Sequence, residues 1–220
     1  MKIKKSLRRW AKPLLARAGF SGFYQQKRQF AANDRWRLIS ACLTSDDRFV
    51  LDIGCNIGEF TYSCGQGGRF ALGLDISVGA ISMAIARASG AETVAFGVCR
   101  LSPDLIGLLP RNDVTLCLSV SHNWHREYGE SLTWQMLESL IARSQKFIFE
   151  PASIQQKYGQ YHPDFTDNDV ESICSYYLPR LQKAAGPGGS ARLIGKTECI
   201  GREPYRYMFL VKTSKSLTKN

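Results

Sequence analysis

The chain has 220 residues, 44% of them hydrophobic and 22% charged, which suffices for one sizeable core and excludes a mainly disordered or fibrous protein. No apolar run reaches the roughly 18–20 residues that span a bilayer. The net charge is +10 and sits almost entirely on residues 1–37, which hold 11 Lys+Arg against one acid, Asp34; the 18 basic and 18 acidic residues that follow cancel.

The opening segment has helical periodicity. Ile3, Leu7, Trp10, Ala11, Leu14, Leu15 and Ala18 share one face, with most Lys and Arg between them. Pro13 should kink or restart this helix, and Gly19 ends it. A second helix is expected within Gln25–Leu43, with Phe30, Trp36, Ile39 and Leu43 turned to a core. Residues 1–43 thus read as a basic amphipathic helical arm, 44–214 as the globular domain and 215–220 as a flexible tail.

The domain alternates strands and helices. Phe49–Ile53, Phe70–Leu74, Thr93–Cys99, Val114–Val120 and Lys146–Phe149 are short apolar runs of buried-strand character. Helical patterns lie between most of them, including one from Glu59, the Ala-rich Val78–Ala88 and Leu132–Arg143. Such alternation predicts an α/β fold, a parallel sheet with helices on both faces. Thr166-x-x-Asp169 has the spacing of a capping box, opening a helix to about Ala185. Gly186–Ser190 is a loop by composition. Ala191–Ile200 and Tyr205–Lys212 then read as strands, and the short Gly201–Pro204 connection suits an antiparallel hairpin. The seven cysteines, at 42, 55, 64, 99, 117, 174 and 199, form no CxxC, so reduced, buried thiols in a cytoplasmic protein are expected.

The chemistry concentrates at the end of the first strand. In Phe49-Val-Leu-Asp-Ile-Gly-Cys-Asn-Ile-Gly-Glu-Phe-Thr61 a buried strand enters a glycine turn and then a helix. Gly54 permits the sharp turn and Gly58 a close helix–strand approach, so a ligand can lie on bare backbone. About 20 residues on, the second strand ends in Asp75, placed to reach ribose hydroxyls. Asn56 and Glu59 stand where a dinucleotide fingerprint needs glycines, and Glu59 at the helix start would repel a pyrophosphate. The Gly-Lys-Ser/Thr of a P-loop is absent. Asp52 and Glu59 instead suit a ligand without phosphates and with a cationic centre, properties that S-adenosylmethionine (SAM) combines.

These residues resemble the class I SAM-dependent methyltransferases. Leu51-Asp-Ile-Gly-Cys-Asn-Ile-Gly58 is similar to that family's first motif and Leu74-Asp75-Ile76 to its second, and the closing hairpin resembles its last two strands. The resemblance spans roughly residues 48–213. It implies a Rossmann-like three-layer sandwich around a seven-stranded, mostly parallel sheet with the last strand antiparallel. By motif, Gly54, Cys55, Asn56 and Gly58 would lie along the methionine part of SAM, with Asp52 and Ser119 also at the cofactor. Asp75 would hold the ribose and Ile76 would pack on adenine. Many members carry an acid after the third strand for the adenine amino group. Here that place reads Cys99-Arg100, with Asp104 farther on, so adenine would rest on Cys99 or on backbone.

After the fourth strand comes Leu118-Ser-Val-Ser-His-Asn-Trp-His-Arg-Glu-Tyr-Gly129, at the carboxyl end of a central strand, where open sheets place ligands. His122 and His125 are the candidate general bases for a hydroxyl acceptor; the alternative is that His122 caps the loop and His125 packs. No metal site is expected, since neither has an identifiable carboxylate or thiolate partner. The stretch also resembles the Ser-Val-x-His-His segment of methyltransferase domains in bacterial O-antigen chain-terminating enzymes, with Asn123 at one histidine position. That points to glycan- or lipid-linked acceptors. Tyr158, Tyr161 and His162, in the long link after the fifth strand, either shape an acceptor pocket or lie on a solvated loop.

For the arm four readings stand. Residues 1–20 lie in an anionic membrane interface, bind a nucleic-acid backbone, dock on the domain, or form a transit peptide. The expected function is SAM-dependent methyl transfer to a glycan-, lipid-linked or small-molecule acceptor, with the protein cytoplasmic or peripheral on the inner membrane face. The alternatives are an RNA methyltransferase and a non-catalytic SAM-fold binding module.

Overall fold

The computed structural model describes residues 33–151, 169–198 and 205–214. Residues 1–32 and the link bearing Tyr158, Tyr161 and His162 lie outside the described residues, as do Thr166, Cys199 and the tail. The described chain begins with helix α1 (33–40) and continues through β1 (Phe49–Ile53), α2 (Glu59–Gln66), β2 (Phe70–Asp75), α3 (Val78–Arg87) and β3 (Val94–Val98). After these come α4 (Pro103–Ile106), β4 (Asn112–Leu118), α5 (Ser121–Ala142), β5 (Ser144–Glu150), α6 (Val170–Ala185), β6 (Ser190–Thr197) and β7 (Arg206–Lys212).

The strands form one seven-stranded sheet in the order β3-β2-β1-β4-β5-β7-β6. The first five pair in parallel, β7 runs antiparallel to β5, and β6 pairs antiparallel to β7. This is the expected α/β sandwich with its terminal hairpin. The strand order reverses between β1 and β4, which opens a crevice above their carboxyl ends.

Alternation along the strands makes two cores. Leu51, Ile53, Cys117, Phe147, Phe149, Tyr207, Phe209 and Val211 face one side, packing on Leu137, Leu140 and Ile141 of α5 and Tyr177 and Leu181 of α6. Val50, Leu116, Ile148, Met208 and Leu210 face the other, where Ile39 of α1 and Cys64 of α2 cover them. Strands apolar on both faces belong to a sheet covered on both sides, which is why the runs read as continuously apolar in sequence.

Three local features depart from the sequence expectation. The helix expected at Leu132–Arg143 begins earlier, at Ser121, because the segment read as a loop after the fourth strand is itself helical; Gly129, at φ 78° and ψ 177°, breaks α5 into two parts. Val120 is therefore the helix N-cap, not a strand residue. At α6 the capping residue is Asp169, whose carboxylate accepts the amides of Glu171 and Ser172 at 3.0 and 3.2 Å.

Candidate functional site

β1 delivers the chain into the crevice. After Ile53 the amides of Gly54 and Cys55 both donate to the Leu74 carbonyl, at 2.7 and 3.0 Å, tying the glycine turn to the end of β2. Gly54 has φ 70°, and a Cβ there would collide with the Val120 side chain, so only glycine fits this floor. Gly58 has φ 73°, and a Cβ on it would strike the Phe96 ring.

Across the crevice stands Asp75. Its Oδ2 accepts the Asn56 amide at 2.9 Å and its Oδ1 the Ser77 amide at 2.8 Å. Each oxygen keeps a further lone pair, so the carboxylate is fixed in direction and still able to accept from a ligand. Asn56 (φ 52°) and Ser119 (φ 58°) are the two non-glycine residues at positive φ among the described residues, and both line this crevice. Such conformations hold backbone at sites where it meets a ligand.

The cavity so formed measures about 650 Å³, in the range of small-molecule sites. Gly54, Asn56, Asp75, Ile76, Cys99 and Ser119, six of the sequence-derived cofactor residues, line it. Gly58 does not; it serves the close packing of α2 on Phe96 and on Ala84 of α3. Asp52 and Cys55 line an adjoining cavity of about 210 Å³ instead, together with Glu59 and Phe60. The two cavities share Gly54, Asn56 and Ser119. Neither His122 nor His125 lines either one. His122 lies buried in the first turn of α5, and burial, reinforced by Arg126 and Arg206, pushes its imidazole down to about 4, leaving it neutral at physiological pH.

Asp52 is almost fully buried, and the Thr61 hydroxyl donates to it at 2.6 Å. Burial pushes its carboxyl up to about 6 despite that bond and the nearby Arg35. Beside it lies a charge network absent from the sequence expectations. Glu150, at the carboxyl end of β5, is fully buried. It accepts Arg35 through two nitrogens, at 3.0 and 2.9 Å, and the Ser119 hydroxyl at 2.6 Å. Arg206 of β7 donates to Ser119 at 2.9 Å and approaches Glu150 at 3.4 Å. Arg35 and Arg206 line the smaller cavity. An acid closing an apolar strand, as Glu150 does after Phe147–Phe149, was the one sequence signal for it. Among the described residues no group of His, Cys, Asp and Glu could hold a metal ion, and no helix is long and apolar enough to cross a membrane.

Together the strand order, the closing hairpin and the crevice make a Rossmann-like α/β sandwich, and comparison with solved structures finds the same fold in methyltransferases. The bifunctional kinase-methyltransferase WbdD superposes with a TM-score of 0.65 at 24% identity, over 86% of this chain and 40% of that one. Magnesium protoporphyrin IX methyltransferase (ChlM) from Synechocystis PCC 6803, crystallised with bound SAM, gives 0.56 at 19% identity, over 88% and 80%. Precorrin-6y C5,15-methyltransferase from Geobacter metallireducens GS-15 gives 0.54 at 10% identity, over 82% and 87%. The chain spans about 40% of the length of the WbdD structure it matches. No protein-family model matches the sequence, and no curated protein does.

Proposed function

We propose that the protein is a SAM-dependent methyltransferase that transfers a methyl group to a hydroxyl or anionic oxygen of a glycan-, lipid-linked or small-molecule acceptor. The observation that carries the reading is Asp75, held by two backbone amides across a crevice floored by Gly54. That pairing suits a ribose on one side and a phosphate-free chain with a cationic centre on the other, and Glu59 in the first turn of α2 disfavours a phosphate there. In this reading Asp75 takes the ribose, Ile76 packs on the adenine face, and Gly54, Asn56 and Ser119 lie towards the methionine end, a reading supported by all five lining one cavity.

A bound sulfonium donor would supply an electrophilic methyl carbon to the acceptor oxygen and leave as a neutral thioether; an anionic oxygen would need no base, and a hydroxyl would release its proton to water. The chain's own part is positioning, which supplies much of the catalysis in an in-line displacement. The smaller cavity adjoins the methionine end through Gly54, Asn56 and Ser119, which supports it as the acceptor entrance. Arg35 and Arg206 at its wall suit an acceptor bearing an anionic oxygen. His122 and His125 are assigned no proton here, since neither lines either of these two cavities. ChlM and precorrin-6y methyltransferase are named for small-molecule substrates, which favours that class of acceptor.

Titration calorimetry tests the donor assignment. Wild type should bind SAM and S-adenosylhomocysteine, and Asp75→Ala should weaken both by about 10- to 100-fold, the range for losing hydrogen bonds to a charged group. A protein indifferent to both ligands would refute the proposal. Transfer of a radiolabelled methyl from SAM into fractionated extract then identifies the acceptor as lipid, polysaccharide, small molecule or RNA.

A further inference from the structure

The sheet has two outer edges, β3 and β6, and they are built differently. β6 carries Arg192 and Lys196 and has a register shift between Leu193 and Gly195, the charges and irregularity by which edges resist further pairing. β3 has neither. Its sequence, Val94-Ala-Phe-Gly-Val98, holds no charge and no proline, and it pairs with β2 in unbroken register. The Thr93 carbonyl accepts the Ala71 amide at 2.9 Å, and the Cys99 amide donates to the Asp75 carbonyl at 2.8 Å. Odd-numbered residues of this stretch thus turn their backbone groups to β2. The amides and carbonyls of Val94, Phe96 and Val98 point outward, where no described strand meets them. An apolar helix flank adjoins that edge. α3 has no charged residue before Arg87, and Val78 and Ile85 on it are each more than half exposed. Arg87 reaches over the Tyr62 ring of α2, 5.9 Å from its centroid. At about 100° per residue, Val78 and Ile85 fall on the opposite flank of α3, away from α2 and towards the outer side of β3. Val98, also more than half exposed, has the side-chain parity of Phe96, whose ring lies on the α2 and α3 side of the sheet beside Gly58.

We propose that a second copy of this chain docks here, its β3 pairing antiparallel with the first about a twofold axis at Phe96. A twofold centred there sets Phe96 against Phe96 and Val94 against Val98 of the second copy, so that outward amides meet outward carbonyls. The same register sets Glu92, exposed just before β3, opposite Arg100 of the second copy, exposed just after it, at both ends of the strand pair. Arg100 bonds Glu127 through a single nitrogen, which leaves its guanidinium further donors for Glu92 of the second copy. The twofold also puts both α3 flanks on one side of the joined sheet, where Val78, Ile85 and Val98 of the two copies would cover one another. Charge is what selects a second copy as the occupant. Between Glu92 and Arg100 the edge meets itself without like-charge repulsion, and those two residues supply opposite signs where the strands end. The proposal concerns assembly and stands apart from the donor and acceptor readings.

Sedimentation equilibrium of the full chain tests it. Wild type should sediment at twice the chain mass at micromolar concentration. Ile85→Glu and Val98→Lys should each raise the dimer Kd by at least about tenfold, since each charge enters the interface twice. Glu92→Arg and Arg100→Glu should each raise it by about tenfold, and the double reversal should return it to within a few-fold of wild type. All four positions are exposed, so the variants should fold, which circular dichroism checks. Should Ile85→Glu or Val98→Lys fail to fold, the charge reversal decides alone. A wild-type chain that stays monomeric at every concentration overturns the proposal, whether the edge is covered by residues 1–32 or by a strand of another protein. A dimer that none of these variants weakens, or that the double reversal does not restore, overturns it as well.

Discussion

Asp52 is the residue whose titration should be visible in the stability of the whole protein. Burial pushes its carboxyl up to about 6, above the ordinary value of 3.8. Between those two values the folded state keeps a proton that the unfolded chain has released, so stability falls as pH rises through that window. Relative to Asp52→Asn, wild type should lose on the order of 3 kcal/mol between pH 4 and pH 7, as read by urea denaturation across that range. A gap between the two proteins that stays flat with pH would contradict the burial argument. Asparagine still accepts the Thr61 hydroxyl, so the comparison isolates the charge.

At the scale of the element, the glycine turn binds two kinds of constraint together. Gly58 stands at positive φ and also leaves no room for a Cβ beneath the Phe96 ring. Gly58→Ala should destabilise by roughly 2–5 kcal/mol, the sum of a left-handed alanine and an overpacked contact. Adding Phe96→Leu should restore the steric part and leave the backbone part, so the double variant should fall between the two in thermal unfolding. Full recovery would show that the φ requirement contributes nothing. The spacing gave Gly58 a close helix–strand approach, and the family resemblance put it along the cofactor as well; strand–glycine–helix spacing cannot separate a glycine kept for a ligand from one kept for an aromatic ring. The same ambiguity hid the first part of α5. His122, Asn123, Trp124 and His125 lie in a stretch without clear 3.6-residue periodicity, and the positive φ of Gly129 divides the helix just beyond it.

Across the whole molecule, Glu150 joins parts of the chain far apart in sequence: Arg35 from the N-terminal helix, Ser119 after β4 and Arg206 from β7. Glu150→Ala removes the buried carboxylate that Arg35 and Arg206 share and should destabilise by about 3–5 kcal/mol, as measured by denaturant unfolding. Arg35→Met should be milder, since Arg206 and Ser119 still meet the carboxylate. Residues 33–43 belong to the packed body, with Ile39 fully buried. For the basic segment before them, the membrane reading predicts co-sedimentation with anionic vesicles that weakens with salt and vanishes on deleting residues 1–20. Steep salt-dependent binding to RNA in place of vesicles would favour the nucleic-acid reading.

What the sequence determined alone was the alternation of strands and helices, the glycine turn and the acid after β2, because each is written within a few consecutive residues as periodicity or turn chemistry. Six of the nine expected cofactor positions line the crevice for that reason. Only the tertiary structure decided the rest: that Asp52 and Cys55 line the neighbouring cavity, that neither His122 nor His125 lines either of the two described cavities, and that Glu127 meets Arg100 and Glu150 meets Arg35. Those pairs are separated by 27 and 115 residues. Contacts at such distances depend on strand order and helix packing, which no local pattern of side chains encodes.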